Sequence, residues 1–180
     1  VEAFDGWPVH VVIGPGQDAL YRTAMGADAP APITGGARRQ DSVRLGLEAL
    51  ADDAPDFVLI HDAARPLVSR AVIQQVIAAL ERGAAGAVPM LAVADTLRRQ
   101  EAGRWATGPR EGLQRAQTPQ GFRFPEILAA HRTHAAADAP HDVAIADLAG
   151  LAVEPVAGAE ENLKVPTEKD FALAERLLMG

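Results

Sequence analysis

Residues 57–91 read "FVLIHDAARPLVSRAVIQQVIAALERGAAGAVPML". The apolar run 57–60 ends on the polar pair His61-Asp62, and a second apolar run closes the stretch at 86–91. Both runs are short and rich in residues that favour strands, so they predict strands buried on both faces. Between them Val72, Ile73, Val76, Ile77 and Leu80 recur at helical spacing, with Ser69 placed as N-cap and Gly83 as stop. A strand, a helix and a strand in succession imply a right-handed crossover.

The alternation extends in both directions. "VHVVI" (9–13) predicts a further strand, and "QDALYRTAM" and "DSVRLGLEALA" predict helices. Downstream, "PEILAAHRTHAAA" predicts a helix with Pro125 in its first turn, and "HDVAIADLAGLAV" a second one capped by Asp142. Thr167 and Asp170 have the spacing of a capping pair for a final amphipathic helix. The expected fold is α/β: one domain with a mainly parallel, twisted sheet and helices on both faces. In such sheets ligands bind outside the carboxyl ends of the strands. His61, Asp62 and Arg65 fall there, and Lys164, on the short run before the last helix, faces the same ends. The same residues also fit an ordinary strand-to-helix loop, with Asp62 as turn former, Pro66 as stop and Lys164 as a solvated lysine.

Residues 95–124 break the pattern. They are polar and punctuated by Gly103, Gly108, Pro109 and Gly112, which predicts an extended hairpin arm. An arm bearing Trp105 and several arginines is expected to lie against a second subunit; a flexible surface loop is the plainer alternative.

Composition narrows the classes. The 180 residues are 48% hydrophobic and 23% charged, as in one soluble domain with a substantial core. Cysteine is absent, which removes disulfides, thiolate metal sites and thiol nucleophiles and fits a reducing cytoplasm. Glu81, Arg82 and Gly83 interrupt the longest apolar run well short of the about 18 residues of a membrane span. A net charge of −7 argues against nucleic acid as partner and confines any phosphate site to a local cluster. His131 and His134 share a helix face, but no third ligand is near, so no metal site is expected and both are read as surface residues. "GGARRQDSV" (35–43) lacks the standard dinucleotide and Walker spacings, and no G-x-S-x-G element is present. The opening residues have neither an initiator Met nor a signal-peptide pattern, and the expectation is that further residues precede Val1.

Taken in order, "GGARRQDSV", "VLIHDAARP", "ADTLRR", "LQRAQTPQGF", an "HD" opening a helix and "ENLKV" resemble the 2-C-methyl-D-erythritol 4-phosphate cytidylyltransferase family of non-mevalonate isoprenoid synthesis. The resemblance covers nearly the whole chain. It implies a nucleotidyltransferase domain whose β-arm builds a homodimer. It implies a reaction in which the phosphate of methylerythritol phosphate attacks the α-phosphorus of CTP and pyrophosphate leaves. Mg²⁺, bound mainly through the CTP phosphates, offsets their charge.

Carried over by residue, the resemblance places Gly35, Gly36, Ala37 and Ser42 at the cytosine. It places Asp62 and Ala63 at the ribose and phosphates, with Arg65 in support. Thr96, Arg110, Thr118 and His141 would bind methylerythritol phosphate, Arg110 from the neighbouring subunit, and Lys164 would hold the attacking phosphate. Arg110 and Lys164 would be the catalytic pair. Three positions depart from the family: Arg98 where lysine is common, Ala37-Arg38 where acidic residues are common, and His141 where threonine often precedes Asp142. The family also opens with a strand, a Gly-rich loop and basic residues that wrap the triphosphate. None of that is in these 180 residues, so the chain as written is expected to turn over slowly or not at all. Two other readings stay open: a cytidylyltransferase for another polyol phosphate such as ribitol 5-phosphate, and a catalytically silent nucleotide-binding or dimerisation module.

Overall fold

The computed structural model describes residues 2–26 and 28–179. Residues 57–92 form β3 (Phe57–Ile60), α3 (Arg70–Glu81) and β4 (Gly86–Ala92). Ser69 caps α3 by accepting from the Val72 N–H at 3.3 Å, and Gly83 ends it at φ +110°, a conformation that suits glycine. Ile73, Val76 and Leu80 are fully buried under the sheet. Burial of this kind contributes roughly 1.5–3 kcal/mol per side chain.

Upstream lie β1 (Val12–Ile13), α1 (Asp18–Met25), β2 (Ile33–Thr34) and α2 (Arg39–Ala49). β1 and β2 pair in parallel as a separate two-stranded sheet, and β1 keeps only the end of the 9–13 run. Downstream come β5 (Arg98–Glu101), β6 (Arg104–Thr107), β7 (Gln114–Ala116), β8 (Gln120–Arg123), α4 (Phe124–Thr133), α5 (Asp142–Leu148), β9 (Val153–Ala157) and α6 (Glu168–Met179). The Thr167–Asp170 capping pair is present at α6: Asp170 Oδ2 accepts from the Thr167 backbone N–H at 3.1 Å and from its hydroxyl.

The main sheet is mixed, where a mainly parallel one was expected. β3 and β4 point the same way, as the crossover requires, but β8 inserts antiparallel between them, and only β9 pairs with β4 in parallel. The cause is the return path of residues 114–123, which run as β7 and then β8 along one edge of β4. Pro89, which has no N–H to donate, sits where the antiparallel partner of β4 changes from β8 to β7. Gly121 admits β8 beneath α3, since a Cβ there would stand 2.3 Å from Val76 Cγ1. On the opposite face Phe122 packs with Leu47, Ile127 and Ile145 from α2, α4 and α5. Helices therefore cover both faces.

Residues 95–124 divide accordingly. β5 and β6 form an exposed hairpin with Trp105 on it, turning through Ala102 and Gly103 at positive φ, whereas the segment from Gln117 to Phe122 is buried in the main sheet. Among the described residues no helix is long and apolar enough to cross a membrane.

Candidate active site

Three segments meet where β3 ends. The Asp62 backbone N–H donates to Thr118 Oγ1 at 3.0 Å, and that hydroxyl lies 3.0 Å from His61 Nδ1. His61 Nε2 is 3.0 Å from the Arg65 carbonyl, which can only accept, so Nε2 carries the proton and Nδ1 accepts from Thr118. Burial lowers the His61 pKa and keeps the ring neutral. The third segment is tied in by Asn162, whose side-chain amide donates to the Thr118 carbonyl at 2.9 Å and whose own carbonyl accepts from Arg65 Nη1 at 2.7 Å. The Val165 N–H adds a bond to the Ala64 carbonyl at 2.7 Å. Lys164 is thereby brought over the end of β3.

A chain of charges crosses this frame. Lys164 Nζ donates to Asp62 Oδ2 at 2.9 Å, and Arg39 Nη2 reaches Asp62 Oδ1 at 3.3 Å. The same Arg39 nitrogen lies 2.8 Å from Asp142 Oδ2, and Asp142 Oδ1 lies 3.3 Å from His131 Nε2. Burial alone would raise the Asp62 carboxyl; Lys164 and Arg39 more than offset it and hold it below the usual range. Asp142 is also held low, burial again being outweighed by His131 and Arg39.

Two expectations are corrected here. His131 is not a surface residue: it is fully buried, because α4 turns it inward onto Asp142. Asp142 is not the cap of α5. His141 holds the N-cap position without a side-chain capping bond, while Asp142, 1% exposed, faces the ion-pair chain.

A cleft of about 1440 Å³ opens beside the cluster. Arg39, Ser42, His61, Asp62, Ala63 and Arg65 line its polar part, and Val12, Leu47, Val58 and Ile60 its apolar part. The arrangement offers fixed cations beside a paired carboxylate, and so suits an anionic ligand positioned by charge.

The family model described as 2-C-methyl-D-erythritol 4-phosphate cytidylyltransferase matches residues 6–180. The chain belongs to that family. It is 53% identical over 175 residues to the bifunctional enzyme IspD/IspF of Rhodospirillum rubrum, covering 96% of this chain and 45% of that protein. It is 54% identical over 147 residues to the 2-C-methyl-D-erythritol 4-phosphate cytidylyltransferase of Cereibacter sphaeroides, covering 81% and 64%. The crystal structure of the cytidylyltransferase from Thermus thermophilus superposes with a TM-score of 0.80 at 33% identity, covering 99% of this chain and 86% of that one. The chain spans about half the length of the bifunctional relatives it matches.

The other residues that the family pattern singled out fall in three places. Gly35 and Gly36 pack against α2: a Cβ on Gly35 would lie 2.5 Å from Ser42 Oγ, and one on Gly36 2.4 Å from Asp41 Cβ. Ser42 spends its hydroxyl on this turn, accepting from the Gly36 N–H at 3.1 Å and lying 3.2 Å from the Arg38 carbonyl, while Ala37 is exposed. Thr96 and Arg110 are exposed at the root of the hairpin, where Arg110 donates to the Ala94 carbonyl. None of their described hydrogen bonds reaches Asp62 or Lys164. Thr118 is 2% exposed and holds the backbone under Asp62, and His141 is exposed at the start of α5.

Sequence reasoning missed Arg39 as a member of the site. "ARRQD" shows two adjacent arginines, and only the fold separates Arg38, which pairs with Asp41 on the surface, from Arg39, which bridges two carboxylates.

Proposed function

We propose that the protein is a cytidylyltransferase that forms 4-diphosphocytidyl-2-C-methyl-D-erythritol and pyrophosphate from CTP and 2-C-methyl-D-erythritol 4-phosphate, in non-mevalonate isoprenoid synthesis. The observation that carries the reading is the Lys164–Asp62 pair at the carboxyl end of β3, beside the cleft, in a chain of this family.

A phosphate oxygen of the acceptor forms a bond to the α-phosphorus of CTP, and the bond from that phosphorus to the oxygen bridging to the β-phosphate breaks. Pyrophosphate carries away the electron pair. An acceptor oxygen that is already anionic needs no strong base, so the protein's work is positioning and charge neutralisation. Lys164, half-exposed on its flexible stem, holds the attacking phosphate, and Asp62 orients Lys164. Ser42, which lines the cleft, meets the cytosine together with Gly35, Gly36 and Ala37 on the turn before it, Ala63 lies by the ribose and phosphates, and Arg65 supports Asp62.

Mg²⁺ fits this donor set as an ion carried in on the CTP phosphates, because both Asp62 oxygens are already shared with Arg39 and Lys164. It supplies charge neutralisation on the triphosphate. The hairpin β5–β6, with Trp105 exposed, lies across a second copy of the chain, and that copy's hairpin root brings Thr96 and Arg110 to the acceptor. His141 contacts a hydroxyl of the same substrate. The enzyme works in the cytoplasm as a homodimer.

The test is pyrophosphate release by the full-length protein with CTP and either methylerythritol phosphate or ribitol 5-phosphate. Release that requires both CTP and methylerythritol phosphate, and falls about 100-fold or more in Lys164→Ala, is expected. Silence with both acceptors, or preference for ribitol 5-phosphate, overturns the reading.

A further inference from the structure

The cluster holds one cation more than a simple Lys–Asp pair needs, and the two cations differ in freedom. Lys164 ends on a single ammonium and is half-exposed, whereas Arg39 is pinned from behind by Asp142, which is itself backed by His131 in the core. Each takes its own oxygen of Asp62. A lysine ammonium has three N–H donors, so Lys164 can turn toward a substrate phosphate while sharing itself with Asp62, and its hold on the carboxylate then weakens. Asp62, only 13% exposed, would then be left short of a partner unless a second cation stayed behind.

We propose that Arg39 is the positioning residue that keeps Asp62 paired while Lys164 turns to the acceptor's phosphate, and so sets how tightly Lys164 is held before that phosphate arrives. The inference rests on the cytidylyltransferase reading for the identity of the phosphate, but not for the competition itself. An arginine suits the task because its planar fork reaches two carboxylates at once and stays charged. Asp142 keeps Arg39 from following Lys164 outward, and His131 fills the other side of Asp142. The burial gradient runs the same way, from a fully buried histidine to a half-exposed lysine.

Within these residues lysine occurs only at positions 164 and 169, so Lys169 is a built-in reference. Trace acetylation with acetic anhydride at fixed pH, read peptide by peptide by mass spectrometry, reports how firmly Lys164 is held. In Arg39→Gln the carboxylate is left to Lys164 alone, and labelling of Lys164 relative to Lys169 should slow about threefold. In Asp62→Asn it should quicken. The double variant Arg39→Gln with Asp142→Asn leaves no carboxylate stranded in the core and should slow labelling equally. In turnover assays on the full-length protein, Arg39→Gln should raise KM for the acceptor and leave KM for CTP unchanged, a split that general loosening of the fold does not produce.

An unchanged or faster labelling ratio in both Arg39 variants overturns the proposal, as does an unchanged acceptor KM in an active enzyme. A parent protein that releases no pyrophosphate defeats the assigned reaction instead, and the labelling ratio still decides the role of Arg39.

Discussion

The side-chain amide of Asn162 donates to the carbonyl of Thr118 at 2.9 Å, and this bond joins the segment that carries Lys164 to the segment beneath Asp62. Asn162 is fully buried, and its amide also lies 3.4 Å from Gln117 Oε1. Replacement by alanine strands the Thr118 carbonyl without adding a partner. Asn162→Ala should lose about 1–3 kcal/mol of stability in urea unfolding, the usual cost of an unsatisfied buried group. Because the Lys164 segment loosens, turnover should fall more steeply than the folded fraction; loss of stability with full turnover per folded molecule would show that Lys164 is placed by something else.

The buried end of the ion-pair chain should matter more for stability than the surface pairs. Asp142→Ala leaves Arg39 and His131 without their shared partner at a site that is 1% exposed, and should cost about 3–5 kcal/mol by denaturant unfolding. Glu154→Ala, which breaks the exposed pair with Arg82, should stay within the scatter of the same measurement. Equal effects would mean that Asp142 is better hydrated than its burial implies.

Gly121 tests the packing that admits β8 into the sheet. A methyl group there would meet Val76 at 2.3 Å and both Leu59 and Leu80 at 3.0 Å. Gly121→Ala should destabilise by about 1–3 kcal/mol, and Val76→Ala in the same chain should restore part of the loss. Destabilisation that Val76→Ala leaves untouched would place the strain elsewhere.

Acid should weaken the fold in two stages. The His61 pKa is lowered in the folded protein by burial, so the unfolded chain takes up its proton first, and stability falls as pH drops below about 6.5. The Asp62 and Asp142 carboxyls are held below their ordinary range, so their contribution is fully present above about pH 3.9 and is lost as pH falls through their folded values. Urea midpoints measured from pH 8 downward should decline along both limbs, and His61→Gln should flatten the upper one. A midpoint that rises between pH 7 and pH 5 would contradict this assignment.

Much of this was legible in the sequence because it rests on local chemistry. Ser69 and Gly83 bound α3, the Thr167–Asp170 pair starts α6, and the apolar period of 72–80 gave its buried face, all from neighbours within a few turns. The position of Asp62 at a strand end also followed from the change of pattern at Ile60. The mixed sheet did not follow, since β8 is inserted by the return of the hairpin, and pairing partners far apart in the chain leave no periodic mark. His131 and Asp142 failed for a related reason: a histidine beside an arginine on a helix, and an aspartate at a helix start, both look solvent-facing until the fold sets each against the other in the core. Arg39 was hidden likewise, its two carboxylates lying 23 and 103 residues away in the sequence, on separate elements.

In the proposed cytidylyl transfer, Asp62 and Lys164 act as one unit. The most direct measurement is a double-mutant cycle on kcat/KM for methylerythritol phosphate, using Asp62→Asn, Lys164→Ala and the pair in the full-length enzyme. Residues that act together give strongly non-additive losses. The account predicts a double variant no more than about threefold slower than Lys164→Ala alone. Losses that multiply, or a Lys164→Ala enzyme that keeps its full kcat/KM, would contradict it.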